Sequence, residues 1–226
     1  MHFGAKSAFF ALVAALLAPP LSACADDLQR VLEQLNTAAK SFHTTSADFR
    51  FDSKQTEPVP DEEVQTGMVY YERSGASFKM GVHVSKVDNH DVPKVIVCCV
   101  GGKVQMYEKL TNNTTTLDKF SQYQSWFMLG FGASGTELQE KWDIKYLGDD
   151  KTITTERGAP TAKLELVAKD PTVRRNIPKV IVWMDTERGV SLRQLFDQGG
   201  GQTRDCYYIN IRVNQALPAN AFTLDK

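Results

Sequence analysis

Few residues of this chain have the type and spacing that chemistry needs. Gly130-Phe131-Gly132-Ala133-Ser134-Gly135 has the G-x-G-x-x-G spacing of a dinucleotide-phosphate turn. That chemistry requires a preceding strand and a following helix in a βαβ unit, so that backbone amides meet the pyrophosphate. Here an aromatic stretch precedes the glycines, and the motif is expected to be a flexible glycine hinge beside an apolar lid. Ser134 lacks the G-x-S-x-G setting of a nucleophile elbow. His83, Asp88, His90 and Asp91 have the types of metal ligands. His83, however, falls on the polar face of a predicted strand and the others fall in a polar turn, where solvated side chains are expected. The acid pairs Asp26-Asp27, Glu62-Glu63 and Asp149-Asp150 sit in apparent turns or at a helix start, which gives general acid/base catalysis no support. The expectation is a non-enzymatic protein with no catalytic residue, no metal and no cofactor.

Lys6 followed by an Ala/Leu/Phe/Val run from Ala8 to Ala18 and then Pro19-Pro20 reads as an export signal, too short to span a bilayer. Two processing signals overlap at its end. Leu21-Ser22-Ala23-Cys24 fits a bacterial lipobox that would lipidate Cys24, and Ala23-Cys24-Ala25 fits ordinary A-x-A cleavage. Residues 1–25 are therefore the signal peptide and 26–226 one domain, large enough for a sizeable core. Asn112-Asn113-Thr114-Thr115 carries overlapping glycosylation sequons, which matter only in a secretory pathway that reads them, and the lipobox points to a bacterial one. With 26 Lys plus Arg against 27 Asp plus Glu, no net charge steers the chain to nucleic acid or anionic lipid. Cys98 and Cys99 are adjacent on an apparent strand and point to opposite faces, so at most one meets Cys206; plain core packing is the equal alternative.

The elements follow from periodicity. Leu28, Val31, Leu32, Leu35, Ala38, Ala39 and Phe42 recur at helical spacing and predict a helix over 26–42, with Asp26 and Asp27 at its N-terminus. From Ser46 the period becomes two. Ala47, Phe49 and Phe51 alternate with Asp48, Arg50 and Asp52, and Phe78, Met80, Val82 and Val84 alternate with Lys79, Gly81, His83 and Ser85. Ser74-Gly75, Gly101-Gly102, Gly148-Asp149-Asp150, Arg188-Gly189 and Gly199-Gly200-Gly201 read as turns, giving roughly a dozen antiparallel strands. Phe120 to Gly132 breaks the alternation, and a charged helical turn follows near Glu137 to Lys141. A sheet this long curls. The fold class is therefore mainly β, an incomplete antiparallel barrel with a lid built from the first helix and residues 120–132.

Phe49, Phe51, Phe78, Met80, Val82, Met106, Trp126, Phe127, Met128 and Phe131 form a large apolar set. Singly each is ordinary core. Together, lining a curved sheet under a lid, they predict a cavity for a soft, shapeless ligand.

The tail from Val180 to Asp197, then Tyr208 to Asn214, Leu217-Pro218 and Ala221-Phe222, with the export signal and amphipathic first helix, resembles the periplasmic outer-membrane lipoprotein carriers of the LolA type. The resemblance spans essentially the whole mature chain. It implies an incomplete β-barrel closed by helices that shields the acyl chains of lipoproteins and delivers them to the outer membrane. The implied partners are acylated lipoproteins, an inner-membrane release complex as donor and an outer-membrane receptor as acceptor. In that family a basic residue near the second strand hydrogen-bonds the lid and keeps the empty cavity closed. The nearest match is Arg73, in Tyr71-Glu72-Arg73-Ser74-Gly75, which lacks the family's proline; an exposed hairpin arginine is the alternative. The same fold also implies a LolB-type acceptor anchored through Cys24, or a periplasmic sensor of lipid or misfolded protein. Membrane contact is transient for the carrier and permanent if Cys24 is lipidated.

Overall fold

The computed structural model of the protein describes residues 21–75, 77–100, 103–117 and 129–224. Trp126, Phe127 and Met128 lie outside the described residues, as do the side chains of Cys24, Cys98 and Cys99.

One helix precedes a long meander. Helix α1 (Leu21–Ser41) is followed by strands β1 (Thr44–Gln55), β2 (Asp61–Ser74), β3 (Ser77–Val87), β4 (His90–Val100), β5 (Lys103–Glu108) and β6 (Asn113–Leu117). Helix α2 (Gly135–Lys141) leads into β7 (Trp142–Thr154) and β8 (Pro160–Ala168). Helix α3 (Pro171–Asn176) precedes β9 (Lys179–Asp185), β10 (Val190–Gly199) and β11 (Gln202–Val213).

All eleven strands form one antiparallel sheet in the order β6-β5-β4-β3-β2-β1-β11-β10-β9-β8-β7. Only the β1–β11 pair is non-sequential. It joins two meanders at the middle and leaves β6 and β7 as separate edges, so the sheet is an open half-barrel. Irregular register at β11 opposite Ser46–Asp48, where Asn210 takes a φ of 52°, adds the local twist that bulges bring to a curling sheet.

The concave face is the apolar side of each alternating strand. Ala47 and Phe49 of β1, Val69 and Tyr71 of β2, and Phe78, Met80, Val82 and Val84 of β3 are buried there. So are Leu164 and Leu166 of β8, Val180, Val182 and Met184 of β9, and Tyr208 of β11. Helix α1 closes this face with Val31, Leu32, Leu35 and Ala38, and Phe42 follows just beyond its end. Their spacing keeps them within one stripe, while Gln29, Arg30, Glu33 and Gln34 face water. Among the described residues no helix is long and apolar enough to cross a membrane.

The elements differ from the periodicity expectation at four places. Helix α1 begins at Leu21, so Asp26 and Asp27 lie in its second turn. Gly148-Asp149-Asp150 is no hairpin: β7 runs through it with a register shift between Tyr146 and Asp149, where Gly148 supplies a φ of 101°. Strand β6, all Asn, Thr and Leu, carries no alternation and was not predicted; it pairs fully along β5 as an edge. Helix α3 was also missed, although Asp170 accepts hydrogen bonds from the Thr172 and Val173 amides and Pro171 opens the first turn.

Candidate functional site

The chain segment 129–135 lies on the concave face, and it is fixed there from three sides. Its backbone forms a short bridge with the start of β10: Gly132 N–H donates to the Gly189 carbonyl at 3.0 Å, and Ser191 N–H to the Gly130 carbonyl at 2.7 Å. The two glycines take φ of 79° and 71°. A Cβ on Gly130 would collide with Ser191, and one on Gly132 with the Phe42 ring. These glycines therefore permit close packing in a left-handed backbone, and the expected flexible hinge is replaced by a seated segment. Leu129 and Phe131 are fully buried.

Phe131 is the plug of the concave face. Its ring stacks on Tyr71 at 4.0 Å between centroids and meets Tyr208 edge-on at 4.8 Å. Tyr71 packs in turn against Phe78 at 5.6 Å, and Phe51 touches both Phe49, at 4.1 Å, and Tyr208, at 6.0 Å. Cross-strand register explains the cluster: Phe49 pairs with Tyr208, Arg73 with Phe78, and Tyr71 with Met80. Of the predicted set, Phe49, Phe78, Met80, Val82 and Phe131 are buried in one core cluster, Phe51 packs on its border, and Met106 is half-buried on β5 opposite Ile96.

Two side chains of the sheet hold main-chain carbonyls of the seated segment. Arg73 belongs to the inward row of β2, two residues beyond Tyr71, and therefore points over the concave face. Its Nη1 donates to the Gly132 carbonyl at 2.6 Å, and its guanidinium grips both carboxylate oxygens of Glu137. Only 14% of the side chain is exposed, so it is not a free hairpin arginine. Glu137 does double duty. It completes the capping box of α2, accepting from Ser134 N–H at 2.9 Å while its own amide donates to Ser134 Oγ. Burial works against its charge, but the hydrogen bonds from Arg73 and Ser134 outweigh this and hold the carboxyl below the ordinary glutamate range.

The second tie comes from Gln194. Its Nε2 donates to the Leu129 carbonyl at 2.6 Å, and its Oε1 accepts from the Tyr208 hydroxyl at 3.2 Å. The Tyr71 and Tyr208 rings flank Phe131 on the same face. Burial pushes both phenols above their ordinary range, as it does the free thiol of Cys206, whose strand neighbour across β10 is Gln194. Sequence reading did not single out Gln194, Tyr208 or Glu137 as site residues. Their partners lie 65, 14 and 64 residues away, so no local pattern could reveal them.

No protein-family model matches the chain, and no curated protein matches it in sequence. Solved structures do. MucB superposes with a TM-score of 0.50 at 14% identity over 88% of this chain, which spans 63% of MucB. A LolA superfamily protein from Nitrosomonas europaea aligns at 13% identity and a TM-score of 0.42, covering 88% of this chain and 98% of that one. The Mycobacterium tuberculosis lipoprotein LppX aligns at 12% identity and 0.44, covering 85% and 98%. The likeness to MucB is one of fold, an open antiparallel half-barrel with helices on its concave face.

Within this half-barrel the other sequence candidates separate from the site. His83 is on the opposite face, its ring edge-on to Tyr70 at 5.1 Å. Asp88 caps the β3–β4 turn by accepting from Val64 N–H at 2.8 Å. Among the described residues no three His, Cys, Asp or Glu side chains gather as metal ligands.

Proposed function

We propose that this chain is a non-catalytic carrier of the cell envelope that shields the acyl chains of lipoproteins on its concave face and passes them toward the outer membrane. The observation that carries this reading is the Phe131 segment. It covers an aromatic and aliphatic surface, yet its side-chain ties to the sheet are two carbonyls held by Arg73 and Gln194. Lifting it uncovers the Tyr71 and Tyr208 rings at the cost of the short bridge to β10, with every strand pair of the sheet intact. Each methylene that then leaves water contributes about 0.8 kcal/mol, so ten supply roughly 8 kcal/mol, enough for a carrier that forms no covalent bond. Cargo comes from an inner-membrane release complex and leaves to an outer-membrane receptor, in the periplasm.

Arg73 is the latch of this cycle, because it favours the covered state and so helps expel cargo. Arg73→Leu should fold, keep cargo bound and stall transfer to an acceptor membrane; transfer at the wild-type rate would remove the latch role. One observation favours a second reading. Leu21-Ser22-Ala23-Cys24 fits lipidation, which would make the protein a tethered acceptor. Mass spectrometry of the mature N-terminus separates the two: a start at Asp26 supports the shuttle, and an acylated Cys24 the tether.

A further inference from the structure

The concave face is not uniformly apolar beneath Phe131. Gln194 is 3% exposed and Tyr208 6%, and the Tyr208 hydroxyl donates to the Gln194 amide oxygen at 3.2 Å. A floor built only to hold hydrocarbon gains nothing from these groups, since each buried polar atom must be satisfied or it destabilises the fold. The Gln194 amide N–H is satisfied by the carbonyl of Leu129, which belongs to the segment over the sheet. When that segment lifts, Gln194 Nε2 is left as a buried donor on an apolar surface. Thr45 adds to the imbalance. It is fully buried on the same face, directly across from Tyr71, and its Oγ1 has no hydrogen-bond partner among the described residues.

We propose that Gln194, backed by Tyr208, is a polar subsite for the ester carbonyl of a bound acyl chain, which takes the place the Leu129 carbonyl holds in the covered protein. The proposal rests on the acyl-binding reading above and specifies it. The ligand is an O-acyl ester, distinguished from a plain hydrocarbon or an ether of equal length. A carbonyl oxygen accepts from the amide as the Leu129 carbonyl does, whereas an ether oxygen is a weaker and differently placed acceptor. Loss of the segment's tie and gain of the ligand's are then one exchange, with no donor stranded in between. The glyceryl esters of a lipidated N-terminus and of a free glycerolipid share this chemistry.

The test is competition against a fluorescent acyl probe on the full mature chain, using two matched pairs. One pair is dioctanoylglycerol and its dioctyl ether; the other is a diacylglyceryl-cysteine peptide and its ether analogue. The ester member should bind about fivefold more tightly, the worth of one net hydrogen bond. Gln194→Met should bring that ratio to about one, and Tyr208→Phe should lower it. Preference in the peptide pair alone assigns the subsite to lipidated protein, and preference in the glycerolipid pair alone to free lipid. Equal ester and ether affinities in the wild type overturn the subsite while leaving the acyl-binding reading standing, and that comparison needs no variant to fold. A ratio that survives Gln194→Met also overturns it. Binding of neither member removes both readings.

Discussion

Phe131 and Trp183 are shut away from water almost equally, at 0% and 4% exposure, but on opposite faces of the same sheet and by opposite means. Trp183 is covered by its own strand neighbours. Lys163 Nζ lies 4.8 Å from its ring centroid and Arg193 Cζ 4.4 Å, while its Nε1 donates to Asp150 at 2.8 Å. Register places Lys163, Trp183, Arg193, Tyr207 and Arg50 in one row across five strands, and Arg193 is held by both oxygens of Asp205 at 2.8 and 2.6 Å. Nothing in that row can leave without unpairing the sheet. Phe131 is covered by, and belongs to, a segment that is not a strand of the sheet. The convex row makes a rigid backing, and the concave plug makes a removable cover.

The largest expected effect separates the two. Trp183→Ala should lower global stability by about 3–5 kcal/mol, the usual loss for deleting a buried aromatic, because every contact it makes belongs to the cooperative sheet. Acyl-probe affinity of the folded fraction should stay at the wild-type value. Phe131→Ala deletes as deeply buried a ring, but its segment can come away locally, so the global loss should be smaller, about 2 kcal/mol. Its probe affinity should rise about tenfold, since the ligand no longer displaces the plug. Urea unfolding and probe titration of both variants decide this. A larger unfolding loss for Phe131→Ala, or a raised affinity in Trp183→Ala, would erase the distinction between cover and backing.

That distinction was half legible in the sequence. Alternation identified both rows of each strand, so the burial of Phe49, Phe78, Met80 and Val82 could be anticipated from period alone, whereas Phe131 lies where the alternation breaks. Arg73 was found only through a family resemblance, because its inward position depends on the register of β2 and its partners lie in a segment with no periodic pattern. The glycines at 130 and 132 were misread as a hinge. Glycine marks flexibility and close packing with the same letter, and only the Phe42 ring and the Ser191 side chain show which applies. The convex row escaped for a related reason: Lys163, Arg193 and Arg50 look like solvated polar positions until five strands align them.

A middle-sized effect probes the backing without removing its aromatic. Arg193→Met keeps bulk over Trp183 but loses the paired hydrogen bonds to Asp205 and the two cation–π contacts, to Trp183 and, at 5.1 Å, to Tyr207. The guanidinium is a quarter exposed, so screening limits the loss to about 1–2 kcal/mol. Thermal unfolding should register it, while ester-over-ether preference should not change. A shift in ligand preference would mean that the two faces are coupled through β10, which carries both Arg193 and Gln194.

The smallest effect lies on the cover itself and depends on pH. Burial disfavours the Glu137 carboxylate, but Arg73 and the Ser134 cap hold it below its ordinary value of 4.5. A depressed carboxylate contributes stability that is complete above the unfolded value and is lost as pH falls through the folded one. Acidification below about 4.5 should therefore loosen the grip of Arg73 on α2 and raise probe affinity, whereas neutral to mildly alkaline pH should leave it flat. With 39% of the Glu137 side chain exposed, the contribution is at most about 1 kcal/mol. Glu137→Gln should show the raised affinity already at neutral pH and lose the acid dependence. If the acid dependence persists in that variant, the titrating group is elsewhere and the Arg73–Glu137 pair is only part of the α2 cap. If it vanishes, the pair belongs with Phe131 as part of the cover, and Trp183 and its row should remain insensitive through the same range.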